Sequence, residues 1–340
     1  MSLMVLEFRD DGIYCPAGDF YIDPWKPVSR AVITHGHADH ARPGHGSYLA
    51  TEAAAPVMRF RLGEISLQTA RFGAQTQIGD ATVSFHPAGH VPGSAQIRVA
   101  VRGEVWVVSG DYKLEPDPIS EPFEPVRCHA FISECTFGLP VFTWDNPNIV
   151  TEQINDWWQA NRAAGRFSVL GAYALGKAQR ILSSVDHTIG PILTHGAIEN
   201  TNEILRAQGL SLPQTTRVTP DINPKHYPGA LVLATPSAMG GGWMKRFRPA
   251  PSTAFASGWM GVRGIRRRRA ADRGFILSDH ADWNGLNKAV RDTGAERIFV
   301  THGYTQIFAK WLSEQGYEAR IVETEFEGET LETPQLDDPA

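Results

Sequence analysis

Four apolar runs in this chain stop on a histidine or an aspartate. Ala31, Val32 and Ile33 lead into "THGHADH"; "TVSFHPAGH" reaches His90; "VWVVSGD" carries Val105 to Val108 into Asp111; and "RIFVTHG" ends at His302. Short runs rich in β-branched residues read as strands. A polar group placed where a strand yields to irregular backbone is held rigidly yet can reach a ligand. The same reasoning predicts strands at Arg30 to Thr34, Thr82 to His86, Val105 to Ser109 and Ala130 to Ser133, and later at Phe167 to Leu170, Leu231 to Ala234, Phe275 to Leu277 and Arg297 to Val300. Ile154, Trp157 and Trp158 have helical spacing, and Thr151 with Glu152 suits the start of that helix. Strands interleaved with helices predict an α/β chain.

Composition narrows the chemistry. With 340 residues and 42% hydrophobic content, the chain can bury a substantial core. It contains no run of eighteen uncharged apolar residues and no basic-then-apolar leader, so the expected location is cytoplasmic with no membrane partner. Cys15, Cys128 and Cys135 form no CxxC pair, so any metal must be held by nitrogen and oxygen. The net charge of −5 conceals an uneven distribution: residues 150 to 275 carry +9, and the rest carries −14. Lys245, Arg246, Arg248, Arg263 and the run Arg266 to Arg269 supply much of that base. A basic block inside an acidic chain suits an inserted module that binds a polyanion, although an arginine run alone is equally consistent with a solvated loop.

The loop after the first of these strands crowds His35, His37, Asp39 and His40 together, with Gly36 and Ala38 small enough for a tight fold around a cation. Neutral imidazole and carboxylate are the ligands zinc accepts without sulfur, and a site needs three or four of them. His90, Asp111 and His302 supply the remainder from distant parts of the chain. His45, His86, His129, His187, His195 and His226 lack such a setting and are read as structural.

These motifs together resemble the metallo-β-lactamase fold and its β-CASP nuclease family. The HxHxDH loop at His35 to His40, His90, Asp111 of "SGD" and Asp23 of "YIDP" are similar to the metallo-β-lactamase positions. Glu134 of "SECTFG", His280 of "LSDHAD" and His302 of "THG" resemble the three additional β-CASP motifs, and "GAYALGKAQR" resembles the inserted domain. The resemblance covers about residues 10 to 305. Within the family, "YCPAGDFYIDPW" and "HADHARPG" are most similar to the short bacterial, DNA ligase-associated exonucleases.

The resemblance implies an αββα sandwich in residues 1–147 and 273–340, with a β-CASP domain inserted at 148–272 and an acidic tail from Glu327. It implies two divalent ions, zinc or alternatively manganese. His35, His37 and His90 would hold one and Asp39, His40 and His302 the other, with Asp111 shared and Asp23 hydrogen-bonded to a ligating imidazole. Asp39, Glu134 and His280 are the implied catalytic residues: His280 donates to a phosphoryl oxygen or protonates the leaving oxygen, and Glu134 orients it and favours its protonated form. The implied substrate is DNA, processed at its ends during repair, with an ATP-dependent DNA ligase and a helicase as functional associates. His302 is the form usual in the RNA-processing branch, which makes a ribonuclease the runner-up.

Two further classes stay in view. The fold also serves hydrolases that never meet nucleic acid. "GAYALGKA" fits a P-loop through Lys177, but Ala178 stands where Ser or Thr should hold magnesium. Lys177 is therefore expected to face a substrate phosphate, together with Lys245, Arg246, Arg263, Arg266 and Arg267. Trp243 and Trp259 are read as core residues, with stacking on unpaired bases as the alternative.

Overall fold

The computed structural model describes residues 4–248, 250–264 and 271–326. The run Arg266 to Arg269, and with it Arg266 and Arg267 as phosphate contacts, lies outside the described residues, as does the acidic tail from Glu327. The chain is mixed α/β and divides into two compact units. Residues 4–143 with 280–326 form one, and residues 144–279 form the other.

The first unit holds two sheets. One runs in chain order through Glu7–Arg9, Gly12–Cys15, Phe20–Ile22, Arg30–Val32, Ser47–Thr51 and Leu67–Ala70. The other has the spatial order Glu318–Ile321, Arg297–Gly303, Ala130–Cys135, Glu104–Val108, Ala95–Val101, Ala81–Pro87 and Gln75–Ile78. In this second sheet the strand period of two sorts the side chains between two cores. Trp106, Val108, Ala130, Ile132 and Phe299 pack with Ile13, Phe20, Ile22 and Val32 of the first sheet. Their neighbours Val107, Phe131, Ile298 and Val300 pack instead with Leu286, Val290, Phe308 and Leu312 of the helices Trp283–Thr293 and Thr305–Glu314. A third core joins Ile33, Tyr48 and Ala50 to Ala54 and to Met58 of the helix Ala55–Leu62.

Three parallel strands of the second sheet, Glu104–Val108, Ala130–Cys135 and Arg297–Gly303, lie side by side and deliver Asp111, Glu134 and His302 to one end. That arrangement needs glycine twice. Gly110 has φ 57°, and a Cβ there would stand 2.7 Å from Thr34 Cβ. Gly303 has φ 106°, and its Cβ would meet the Cys135 carbonyl oxygen at 2.2 Å.

The second unit is built on an all-parallel sheet ordered Thr216–Arg217, Ile192–Thr194, Leu231–Ala234, Ser168–Gly171, Ser252–Ala256 and Arg273–Phe275. The strands "SVLG" and "LVLA" are buried throughout, as expected of a parallel sheet covered on both faces. Its first helix runs Pro147–Ala163, four residues longer than expected. Asn146 caps it by accepting from Asn148 N, Pro147 takes the first turn, and Thr151 lies inside the helix bonded back to the Pro147 carbonyl.

The "GAYALGKAQR" segment also differs from expectation. Gly176, at φ 93°, caps the helix Lys177–Ser184. Lys177 does not stand on the surface: it is fully buried, with its ammonium 3.5 Å from Asp279 Oδ2 and 4.8 Å from the centre of the Tyr173 ring. Arg180 pairs with the other oxygen of Asp279 and donates to the Ser278 carbonyl at 2.8 Å. Removing one member of a buried ion network costs about 3–5 kcal/mol because the opposite charge stays buried. Asp279→Ala should therefore destabilise the protein by that order, read as the midpoint of denaturant unfolding.

No described helix is long and apolar enough to cross a membrane.

Candidate metal centre

The loop after Arg30–Val32 folds so that its imidazoles converge with others from far along the chain. His35 Nε2 and His90 Nε2 each lie 3.1 Å from His37 Nδ1. Asp111 Oδ2 stands 3.6 Å from His35 Nε2, 3.7 Å from His90 Nε2 and 3.5 Å from His40 Nε2. Asp111 Oδ1 is 3.2 Å from His302 Nε2, and Asp39 Oδ2 is 3.6 Å from His40 Nε2. All seven expected ligands thus meet around Asp111, whose carboxylate touches both groups.

Donors bound tetrahedrally to zinc at about 2.0–2.1 Å lie roughly 3.3 Å apart, which is the scale of these separations. Three of the atoms, His40 Nε2, Asp111 Oδ1 and His302 Nε2, are buried without a hydrogen-bond partner. Each orphan would cost about 1–3 kcal/mol if left so. A cation would satisfy all three together, so the donor set fits divalent metal.

Glu134, His302 and Asp111 also lie close enough to share an ion. Glu134 is nevertheless already occupied. Its Oε1 accepts from Tyr112 N at 2.9 Å, its Oε2 accepts from Thr136 Oγ1 at 2.5 Å, and both oxygens stand 2.9 Å from His280 Nδ1. A carboxylate offers about four acceptor sites, and these contacts fill them. Both Glu134 oxygens are thus already engaged, one partner being the His280 ring. His280 does not cap the following helix: Asp282 does so, accepting from Gly285 N at 2.7 Å.

Hydrogen bonds behind the ligands fix which nitrogen faces the centre. Asp23 Oδ2 holds His40 Nδ1 at 2.7 Å, so Nε2 is the free lone pair. The same carboxylate accepts from Thr34 N at 2.8 Å and Thr34 Oγ1 at 2.5 Å. Thr34 Oγ1 in turn lies 3.0 Å from His35 Nδ1, with its lone pair available to accept the ring proton. Asp23 adopts φ 43°, a left-handed conformation that costs an ordinary residue about 1–2 kcal/mol. The bonds to Thr34 and His40 offset that cost. Ser94 Oγ anchors the backbone at His90, accepting from His90 N and Val91 N. Losing such an outer partner lowers metal affinity about 10–100-fold. Asp23→Ala should weaken metal binding by about that factor, measured by competition with a chelator.

Electrostatics agree with this reading. Burial, reinforced by His40, holds His35 well below the ordinary histidine range, so it is neutral with a lone pair to offer. For His40, burial is the largest influence and works downward, but Asp111, Asp39 and Asp23 outweigh it and raise the ring well above that range. Burial likewise works to raise Asp111, yet His40, His280 and His302 hold it well below the usual carboxylate range. The carboxylates thus demand positive charge at this point, and a metal arriving there displaces a proton from His40.

Among the basic residues expected to meet phosphate, Lys245 and Arg263 are exposed. Arg246 lies over Trp243 at 5.7 Å and donates to the Thr219 carbonyl at 3.3 Å. Trp243 packs against Phe247, and Trp259 against Phe255 and Met260. The other histidines make local bonds: His45 accepts from Val28 N, His129 accepts from Val105 N, and His195 caps the helix Gly196–Ala207.

No family model matches the chain. It is 30% identical over 312 residues to a probable DNA ligase of Opitutus terrae, covering 91% of this chain and 30% of that protein. It is 25% identical over 238 residues to the endoribonuclease YSH1 of Mycosarcoma maydis, covering 54% and 26%. A ribonuclease of Thermus thermophilus is 28% identical over 147 residues, covering 35% and 34%. The chain thus spans about a quarter to a third of the length of these curated relatives. A crystal structure of a protein of unknown function from Enterococcus faecalis shares the fold at TM-score 0.58 and 11% identity, over 88% of this chain and 80% of that one. The motifs and these relatives together support the metallo-β-lactamase fold, β-CASP nuclease family.

Proposed function

We propose that the chain is a dinuclear metal-dependent phosphodiesterase that degrades DNA from an end, in end processing and repair. The observation that carries this reading is the convergence of seven nitrogen and oxygen donors, three of whose atoms are buried without a partner. In this reading the two-sheet unit is the αββα sandwich and residues 148–272 are the inserted β-CASP domain. Bound ions, zinc by donor type and manganese as the alternative, would supply Lewis-acid polarisation of a phosphoryl oxygen and a lowered pKa for water.

The protein's own residues do the rest. His35, His37 and His90 would hold one ion, Asp39, His40 and His302 the other, and Asp111 both. Glu134 fixes the Nδ1–H of His280 between its two oxygens, which leaves Nε2 as the atom that donates to a phosphoryl oxygen or passes a proton to the leaving oxygen. Lys245, Arg246 and Arg263 would meet backbone phosphates, giving affinity that falls with salt.

DNA is favoured because a stretch similar to this chain makes up 30% of a protein called a probable DNA ligase. A functional association with an ATP-dependent ligase belongs to the same reading, and one with a helicase follows from the family resemblance alone. The ribonuclease reading has its own support in His302 and in relatives named as ribonucleases. End-labelled single- and double-stranded DNA and matched RNA, incubated with the protein and zinc or manganese, decide between them. A ladder shortening from DNA ends is expected. Cleavage of RNA alone replaces the first reading by the second, and cleavage of neither removes both.

A further inference from the structure

Beyond the edge strand Glu318–Ile321 the chain carries Phe326 onto the histidines of the candidate centre. The Phe326 ring stacks on the His40 imidazole, with centroids 4.5 Å apart and planes 8° from parallel. It meets the ring of His302 at 5.7 Å and 75°, and that of Trp25 edge-on at 5.6 Å. The backbone leading to it is anchored. Val322 N donates to the Val300 carbonyl at 2.9 Å, and Arg42 Nη2 donates to the Glu325 carbonyl at 2.6 Å. The same guanidinium donates to the carbonyls of Asp39 and Trp25. One side chain thereby ties the Asp39 loop, the turn after Asp23 and the Phe326 segment together.

We propose that Phe326 is a positioning residue for the second ion, the one assigned to Asp39, His40 and His302; the proposal rests on the two-ion reading above. The bond from His40 Nδ1 to Asp23 fixes one point of the ring and leaves it free to tilt about that axis. A parallel aromatic face removes the tilt, so that Nε2 stays directed at Asp111. His302 is held less firmly from behind, since its Nδ1 is 3.4 Å from Thr301 Oγ1, and the neighbouring phenyl ring restricts it. The same ring covers both imidazoles from water, which would otherwise compete with the carboxylates for the ion. The pairing energy of one aromatic contact corresponds to roughly two- to tenfold in affinity.

The test is titration of metal-depleted protein with zinc against a competing chelator, with thermal melting alongside. Wild type is expected to take two equivalents. Phe326→Ala and Phe326→Leu should keep the first at wild-type affinity and weaken the second about two- to tenfold, and Phe326→Tyr should restore it. Leu keeps the bulk, so it still decides the matter if Ala fails to fold. Unchanged affinity for both ions overturns this inference and leaves the two-ion reading intact. Equal weakening of both, with a lowered melting temperature, overturns it in favour of general packing. A wild-type protein that takes fewer than two equivalents removes the two-ion reading and this inference with it.

Discussion

Asp111→Ala should abolish activity and empty the centre. The carboxylate stands within 3.7 Å of His35, His40, His90 and His302, so its removal strips both proposed ions of a ligand and of the charge opposite them. The loss should far exceed the roughly 10–100-fold expected for an outer partner such as Asp23. Asp111→Asn keeps the shape and loses the charge, so it should fail almost as completely. Elemental analysis after dialysis would read the first effect and cleavage of end-labelled substrate the second. Two retained ions in either variant would mean that Asp111 is not the shared ligand.

His280→Ala should behave in the opposite way, keeping both ions while kcat falls about 10²–10⁴-fold, the usual span for a lost general acid. The separation is physical. His280 Nδ1 is held by both oxygens of Glu134, which Tyr112 and Thr136 also engage, so deleting the imidazole leaves the proposed ligand set in place. The pH profile carries further information, because loss of the acid should flatten the alkaline limb of kcat. Near-normal turnover in this variant would remove His280 from the reaction.

The centre was more legible in the sequence than the supports beneath it. Each ligand terminates an apolar run or lies in a histidine-dense loop, and a period-two strand leaves its mark in neighbouring residues. Thr34, Ser94, Arg42 and Phe326 left no such mark. Thr34 is an ordinary strand-end threonine until the fold sets Asp23 and His35 on either side of its hydroxyl. Phe326 lies 286 positions from the imidazole it covers, and no local pattern encodes that stacking. Lys177 misled for the same reason: Gly171 and Gly176 ahead of it suggested a turn that brings the lysine to a substrate phosphate, whereas its charge is met by Asp279, about a hundred residues away. The short strands Glu7–Arg9, Phe20–Ile22 and Leu67–Ala70 were also unpredicted, since three or four residues carry too little periodicity to stand out.

The most direct test is the metal content of the protein after saturation with zinc or manganese and removal of excess. Two ions per chain, falling to none in Asp111→Ala, is the predicted result. A wild-type protein that retains none, while folded by its melting curve, would contradict the account at its base.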